Sequence, residues 1–300
     1  MLRADRNLMA AYLIAAYATI VGFTDNFVRV IAEQTGLWQF HATRSGLALM
    51  LLVAVAGPLG LRLRVVRWRG VIVRSLIHGL AMVIYFGALA FLPVALVAAG
   101  LFTAPIFVLL IQTFGMGRPI GLVQVAAALL GFAGVVMVLG PQAFQGASLA
   151  ALLPVLAGAM YALGNVATRE WCAEESAEVL LAGFFAALGV IGCVGMAVLA
   201  VVPVDVPAGA AGFVRRGAVW LGPAIWIWTA VQAAGSLLGV GLMIRAYQIT
   251  SAARASVFEY IILPASAVWG WLIWGEVLGP LALSGMALIA LAGMVLAVRR

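Results

Sequence analysis

Apolar residues fill the chain in stretches near 20 residues long, broken by short clusters of Gly, Pro and charged residues. A helix rises 1.5 Å per residue, so about 20 apolar residues cross a hydrocarbon core of roughly 30 Å. Ten helical spans are expected, near 8–31, 37–57, 71–91, 94–115, 120–139, 149–168, 179–202, 220–248, 252–274 and 279–298. A β-barrel would need segments of ~10 residues with alternating character, which the chain lacks. Several connections are short: "FLPV" at 91–94 and "GPQAFQGAS" at 140–148 use Gly and Pro to end one helix and start the next. Short turns make neighbouring helices antiparallel. Arg3 and Arg6 precede the first stretch as in a signal peptide, but it is longer than a signal core and runs into "TDNFVR" without a clear cleavage site. It is read as a span.

Composition agrees, because 66% hydrophobic and 9% charged residues in a 300-residue chain leave too little polar material for a water-soluble surface. The expected class is an all-α integral membrane protein. With the N-terminus in the cytoplasm, the inner side receives Arg3, Arg6, Arg62, Arg64, Arg67, Arg69, Arg74, Arg118, Arg169, Arg254, Arg299 and Arg300. The outer loops then hold mainly Arg215 and Arg216, so both termini are expected inside. The net charge of +7 follows from that topology, and the expected partners are the lipid bilayer and a small-molecule substrate, with no nucleic acid. All seventeen basic residues are Arg, which suggests a GC-rich bacterium and hence the bacterial inner membrane. Cys172 and Cys193 suggest neither a disulfide framework nor a metal site, and no cofactor is expected.

Laying 99–139 over 258–298 without a gap pairs Pro105 with Pro264, Leu122 with Leu281, Val136 with Val295, and "AL" and "AG" pairs with their counterparts. This matches spans 4 and 5 to spans 9 and 10. An odd period of spans gives the halves opposite orientation, the inverted repeat of secondary transporters with a central binding site. The expected division is two five-helix halves, 1–145 and 146–300.

The segments "YFGALAFLPVALVAAGLFTAPIFVLL" and "RAYQITSAARASVFEYIILPASAVWGWLIWGE", each followed by a Gly-rich span with an "AG" pair, resemble the drug/metabolite transporter superfamily in its EamA-like branch. The resemblance covers nearly the whole chain. "TDNFVR" in the first span, "FHATRSG" in the second and "FEY" in the ninth are similar to a subgroup that carries S-adenosylmethionine, riboflavin and opine-type metallophores. One departure is plain: the Gly-Glu that ends helix 4 in the family reads Met116-Gly117 here, while Gly275-Glu276 keeps it.

Independently of that resemblance, the intramembrane polar residues fall into two layers. Asp25 and Arg29 are four apart on one helical face, and Arg44 lies about seven residues into span 2 from the same outer side, with His41 and Asn26 nearby. His78 and Glu259 lie at similar depth from the inner side, with Asn165 and Arg245 approaching from spans 6 and 8. A central charge costs ~2.5 to 3.5 kcal/mol on the insertion scale, so such residues face a cavity or a partner.

Each has a plainer reading. Asp25 and Arg29 can be a structural ion pair that also acts as a gate, or only the pair, and Arg44 can join it or reach the outer interface by its long stem. His78 suits a hydrogen-bonded packing position as well as a cavity. Trp226, Trp228, Trp269, Trp271 and Trp274 are read as interfacial anchors or packing, whereas Tyr85 and Tyr161 are the better cavity candidates. Gly235 and Gly239 form a GxxxG that permits close helix approach.

Glu259 stands out because Pro264 cannot donate to the carbonyl of Tyr260, so the helix is weakened one turn away. Irregular backbone is tolerated in a membrane mainly where it lines a cavity. Pro105 and Pro264 are the expected helix breaks, and Tyr260 is grouped with Glu259 in the expected binding site. The alternative is a protonated Glu259 bonded to a neighbouring helix; otherwise it can bind a proton or a cationic group of a substrate. The expectation is a secondary transporter for a small zwitterionic or amino-acid-derived solute, the resemblance allowing either export by proton exchange or uptake, with riboflavin as the runner-up. An intramembrane enzyme lacks support, since there is no HExxH, GxSxG or paired Asp motif and hence no catalytic residue to name. No filter sequence argues for a channel.

Overall fold

The computed structural model describes residues 3–298 apart from 62, 141–143, 145–148 and 203. Its helices are α1 (Arg3–Asp25), α2 (Val28–Gln34), α3 (Leu37–Ala56), α4 (Trp68–Ala88), α5 (Val94–Leu101), α6 (Ala104–Leu110), α7 (Leu122–Leu139), α8 (Leu152–Glu170), α9 (Ala177–Val201), α10 (Pro223–Ile249), α11 (Ala252–Phe258), α12 (Ile262–Trp274) and α13 (Pro280–Val298). They make ten segments long and apolar enough to cross a membrane, within a few residues of the expected spans. Three of these are interrupted: the first between α1 and α2, the fourth between α5 and α6, and the ninth by a 3-10 turn at Glu259–Ile261 between α11 and α12. Pro105 opens α6, and Pro264 lies three residues after the 3-10 turn, so both prolines follow a break in their span. The interruption of the first span was not expected from sequence.

Ends are set by local chemistry. Ser176 and Ser251 cap α9 and α11, their side chains accepting from Val179 and Arg254 amides. Pro223 begins α10, where a missing N–H costs nothing, and Gly275 ends α12 at φ +68°. The outer surface of the bundle is apolar: Val190, Val194, Val198 and Val201 make an exposed stripe along α9 that would be costly in water and suits lipid.

Packing between spans follows a regular scheme. The first span packs on the eighth and the third on the sixth; the third packs on the seventh and the eighth on the second. Likewise the fourth packs on the sixth and the ninth on the first, while second–seventh and fifth–tenth complete the set of most extensive contacts. Adding five to both members of any of these pairs returns a pair in the set. Close approach of α1 and α10 depends on the GxxxG noted above: a Cβ on Gly235 would lie 2.3 Å from Thr24 Cγ2, and one on Gly239 would lie 2.6 Å from Val21 Cγ2.

Each end of the bundle is tied by polar contacts. At one end, Glu175 accepts from the amides of Val66 at 3.0 Å and Arg67 at 2.5 Å, and Arg67 pairs with Glu174 at 3.2 Å. At the other, Arg216 donates to the carbonyls of Ala32 and Thr35, and Trp38 Nε1 donates to Val214 O at 2.9 Å.

Candidate functional site

A cavity of about 640 Å³ runs from one end of the bundle to its middle. Its mouth is at Glu33, Val94, Ala210 and Glu276, all exposed, on the end that carries Arg216. Its floor is at Arg74, His78, Tyr247 and Glu259, all buried.

The floor is one connected network. Glu259 sits in the 3-10 turn of the ninth span, where the change of helix geometry presents its carboxylate between α8 and α10. Tyr161 of α8 donates to Oε2 at 2.7 Å, and Tyr247 of α10 donates to Oε1. Tyr161 Oη also lies 2.8 Å from Met243 Sδ, a weaker acceptor, so its single proton goes to the carboxylate. Asn165 Nδ2 donates to Tyr247 Oη at 2.9 Å and approaches Glu259 Oε1 at 3.4 Å. Asn165 Oδ1 then faces His78 Nε2 at 3.0 Å, which places a proton on that nitrogen. His78 Nδ1 lies 3.3 Å from the carbonyl of Arg74, one turn earlier on α4.

Both ring nitrogens of His78 therefore face acceptors, which fixes the plane of the ring. Glu259 is surrounded by neutral donors and has no salt-bridge partner among the described residues. A carboxylate so arranged can receive a proton or a cationic group from the cavity. Space for the network depends on Gly164, where a Cβ would lie 2.2 Å from His78 Nδ1.

Nearer the mouth, Asp25 and Arg44 line the cavity with Asn26 and Tyr85. Asp25 accepts from Gln232 Nε2 at 3.0 Å, and Ser236 donates to Gln232 Oε1 at 3.1 Å. The guanidinium of Arg44 lies 5.0 Å from the ring centre of Phe40 and 5.5 Å from that of Phe86. The side chain of Arg29 lies outside the described residues, so the expected Asp25–Arg29 pair does too. His41 is buried between Phe40 and Phe86 and does not line the cavity.

Of the residues singled out from sequence, the cavity thus brings together Glu259, His78, Tyr85, Tyr161, Asp25, Arg44 and Pro105, while Asn165 bonds to its floor. Two are corrected. Tyr260 faces away, with its Oη 3.3 Å from Ala128 O and its ring where a Cβ on Gly131 would stand. A neighbour in a helical sequence points about 100° off its predecessor, so adjacency to Glu259 placed it on another face. Arg245 is exposed on α10 and is no part of the inner layer. Arg74 takes its place: assigned above to the cytoplasmic surface, it is 1% exposed and lines the floor. Tyr247, Gln232, Ser236 and Tyr17 were also missed. Tyr247 follows the polar-face rule, being four residues from Met243 and eleven from Ser236, which also line the cavity. Among the described residues no cluster of His, Cys, Asp or Glu could hold a metal ion.

A ten-span helical bundle with a largely apolar cavity that ends on buried polar groups at its middle is the architecture of a multi-pass membrane protein. Residues 8–140 match the EamA-like transporter family. It is 27% identical over 223 residues to the pseudopaline exporter CntI of Pseudomonas aeruginosa, covering 74% of this chain and 72% of the relative. It is also 27% identical over 227 residues to the riboflavin transporter of Rhizobium johnstonii, covering 76% and 69%. A solved crystal structure shares the fold with a TM-score of 0.72 over 98% of both chains, at 20% identity.

Proposed function

We propose that this protein is a secondary active transporter, not an enzyme or channel, that moves a small zwitterionic or amino-acid-derived solute across the bacterial inner membrane by alternating access. The observation that carries the reading is the floor of the cavity, where Glu259 is held by Tyr161, Tyr247 and Asn165 but left without a cation. A solute bearing an amine would supply that charge, and a proton would supply it when the site is empty. The exchange of one for the other would couple export to proton entry. Similarity to an exporter of pseudopaline supports export as the direction.

The architecture is consistent with this mechanism. A packing scheme that maps onto itself at an offset of five spans supports two inverted halves, 1–145 and 146–300, because an odd offset reverses orientation. With the termini in the cytoplasm, the open end of the cavity faces outward and the buried network closes the inner side. Aromatic residues along the wall, Tyr17, Tyr85, Phe86, Phe102 and Phe184, favour riboflavin as the second reading, since an isoalloxazine ring would stack on them.

Counterflow in proteoliposomes tests the proposal. Vesicles preloaded with an amino-acid-derived solute are expected to take up the labelled form transiently and saturably, without conversion of the solute. Ohmic current in its place would identify a channel, product formation an enzyme, and counterflow of riboflavin alone the second reading.

A further inference from the structure

We propose that Arg74 is the anchor for a carboxylate of the transported solute and so determines which solutes the cavity accepts. The inference rests on the carrier reading above and adds to it a second fixed charge, at the opposite end of the floor network from Glu259.

Arg74 lies on α4 one turn from His78 and is buried, yet it lines the cavity. Its Nε donates to Thr168 Oγ1 at 2.9 Å and its Nη1 to Leu180 O at 3.1 Å, while the Thr168 hydroxyl donates to Gly164 O at 2.9 Å. These bonds to α8 and α9 fix the plane of the guanidinium. Nη2 has no hydrogen bond to a described residue, and Arg74 lines the cavity, so Nη2 is the donor left for a ligand there. No carboxylate of the described residues lies within salt-bridge distance of Arg74.

Burying an arginine without an anion is costly, and a chain that needed only to tie α4 to α8 and α9 could do so with a neutral side chain. Glu259 would be a ready counter-ion, but the network inserts His78 and Asn165 between the two charges. The floor therefore keeps a cation and an anion apart, and both residues line the cavity. A solute with a carboxylate and an amine would satisfy both at once. The planar fork of a guanidinium matches a carboxylate in geometry as well as charge. This differs from a general preference for polar solutes, because it specifies that removing the carboxylate removes the recognition.

The test uses the whole purified protein and a panel of amino acids and N-carboxyalkyl amino acids, each with its primary carboxamide, together with riboflavin. A ligand that binds the folded state raises the thermal midpoint, and titration gives an apparent affinity. For the parental protein at least one free acid is expected to bind about tenfold more tightly than its amide, the scale of one hydrogen bond to a charged group. Arg74→Gln should melt cooperatively and bind acid and amide nearly equally. If Arg74→Gln keeps the parental preference for the acid, the assignment is overturned while the carrier reading stands. Should the Gln form fail to fold, Arg74→Lys keeps the charge without the fork. It should bind the acid about tenfold more weakly with the amide unaffected, and parental affinity for the acid in that variant would equally overturn the assignment. Binding of riboflavin or the amides in preference to every acid overturns the anchor and favours the second reading. A parental protein that melts cooperatively and responds to no member of the panel removes the zwitterion reading itself.

Discussion

The two levels of the cavity hold the same kinds of groups, a carboxylate and an arginine each, but hold them differently. At the floor, Glu259 accepts from three side chains on two helices, and Arg74 is tied to two more partners. Nearer the mouth, Asp25 accepts from Gln232, and Arg44 rests on the faces of Phe40 and Phe86 with its Nε unbonded. Bracing costs side-chain freedom, and it is useful where a ligand must meet charges in fixed positions. A looser layer is enough to attract and orient a charged solute on entry. On the proposed reading the floor is the recognition layer, and the mouth level is the approach to it.

The largest effect should follow from changing the braced carboxylate. Glu259→Gln keeps size and much of the hydrogen bonding but cannot carry charge, so the protein should fold and counterflow should fall to background. Transport by the parental protein is expected to depend on pH, and any residual flux of the Gln variant should not. An unchanged rate with an unchanged pH profile would make Glu259 a neutral packing group and end the contrast between the levels.

Next comes the space that the floor requires. Gly164→Ala would place a methyl group 2.2 Å from His78 Nδ1, so the imidazole must leave its place beside Asn165. Overpacking of this kind costs about 1 to 3 kcal/mol. A lower thermal midpoint together with weakened solute binding is expected. Parental stability and affinity would show that the network tolerates displacement and is not a rigid platform.

This contrast was only partly visible in the sequence. The spans were, because 20-residue apolar runs carry their own signal, and so was Glu259, whose charge is isolated in such a run. Arg74 was hidden by its context: it follows Arg62, Arg64, Arg67 and Arg69, and a rule that places basic residues in the cytoplasm absorbs it with them. Only its position six residues inside α4 separates it from the others. Tyr247 was hidden because an aromatic near the end of a span reads equally well as an interfacial anchor. Tyr260 and Arg245 failed in the opposite way, since polar character near a site says nothing about the face of the helix. The break in the first span carries no proline or glycine at Asn26 and Phe27, and it was therefore not anticipated.

The smallest effect should come from the looser level. Asp25→Asn keeps a carbonyl oxygen for the Gln232 amide, so the 3.0 Å hydrogen bond can survive in neutral form. Hydrogen bonds to charged groups contribute about 1.5 to 3 kcal/mol and neutral ones about 1, so the expected change is of order 1 kcal/mol. That is about a tenfold change at most. If the mouth level only attracts the solute, Asp25→Asn should slow its association and leave the preference for acid over amide intact. The loss should also shrink as salt rises, because screening removes long-range attraction while a buried contact persists. Stopped-flow tryptophan fluorescence at several ionic strengths would measure the association rate for both forms. A salt-independent loss of affinity as large as that of Glu259→Gln would place Asp25 in direct contact with the bound solute, and the two levels would then form a single site.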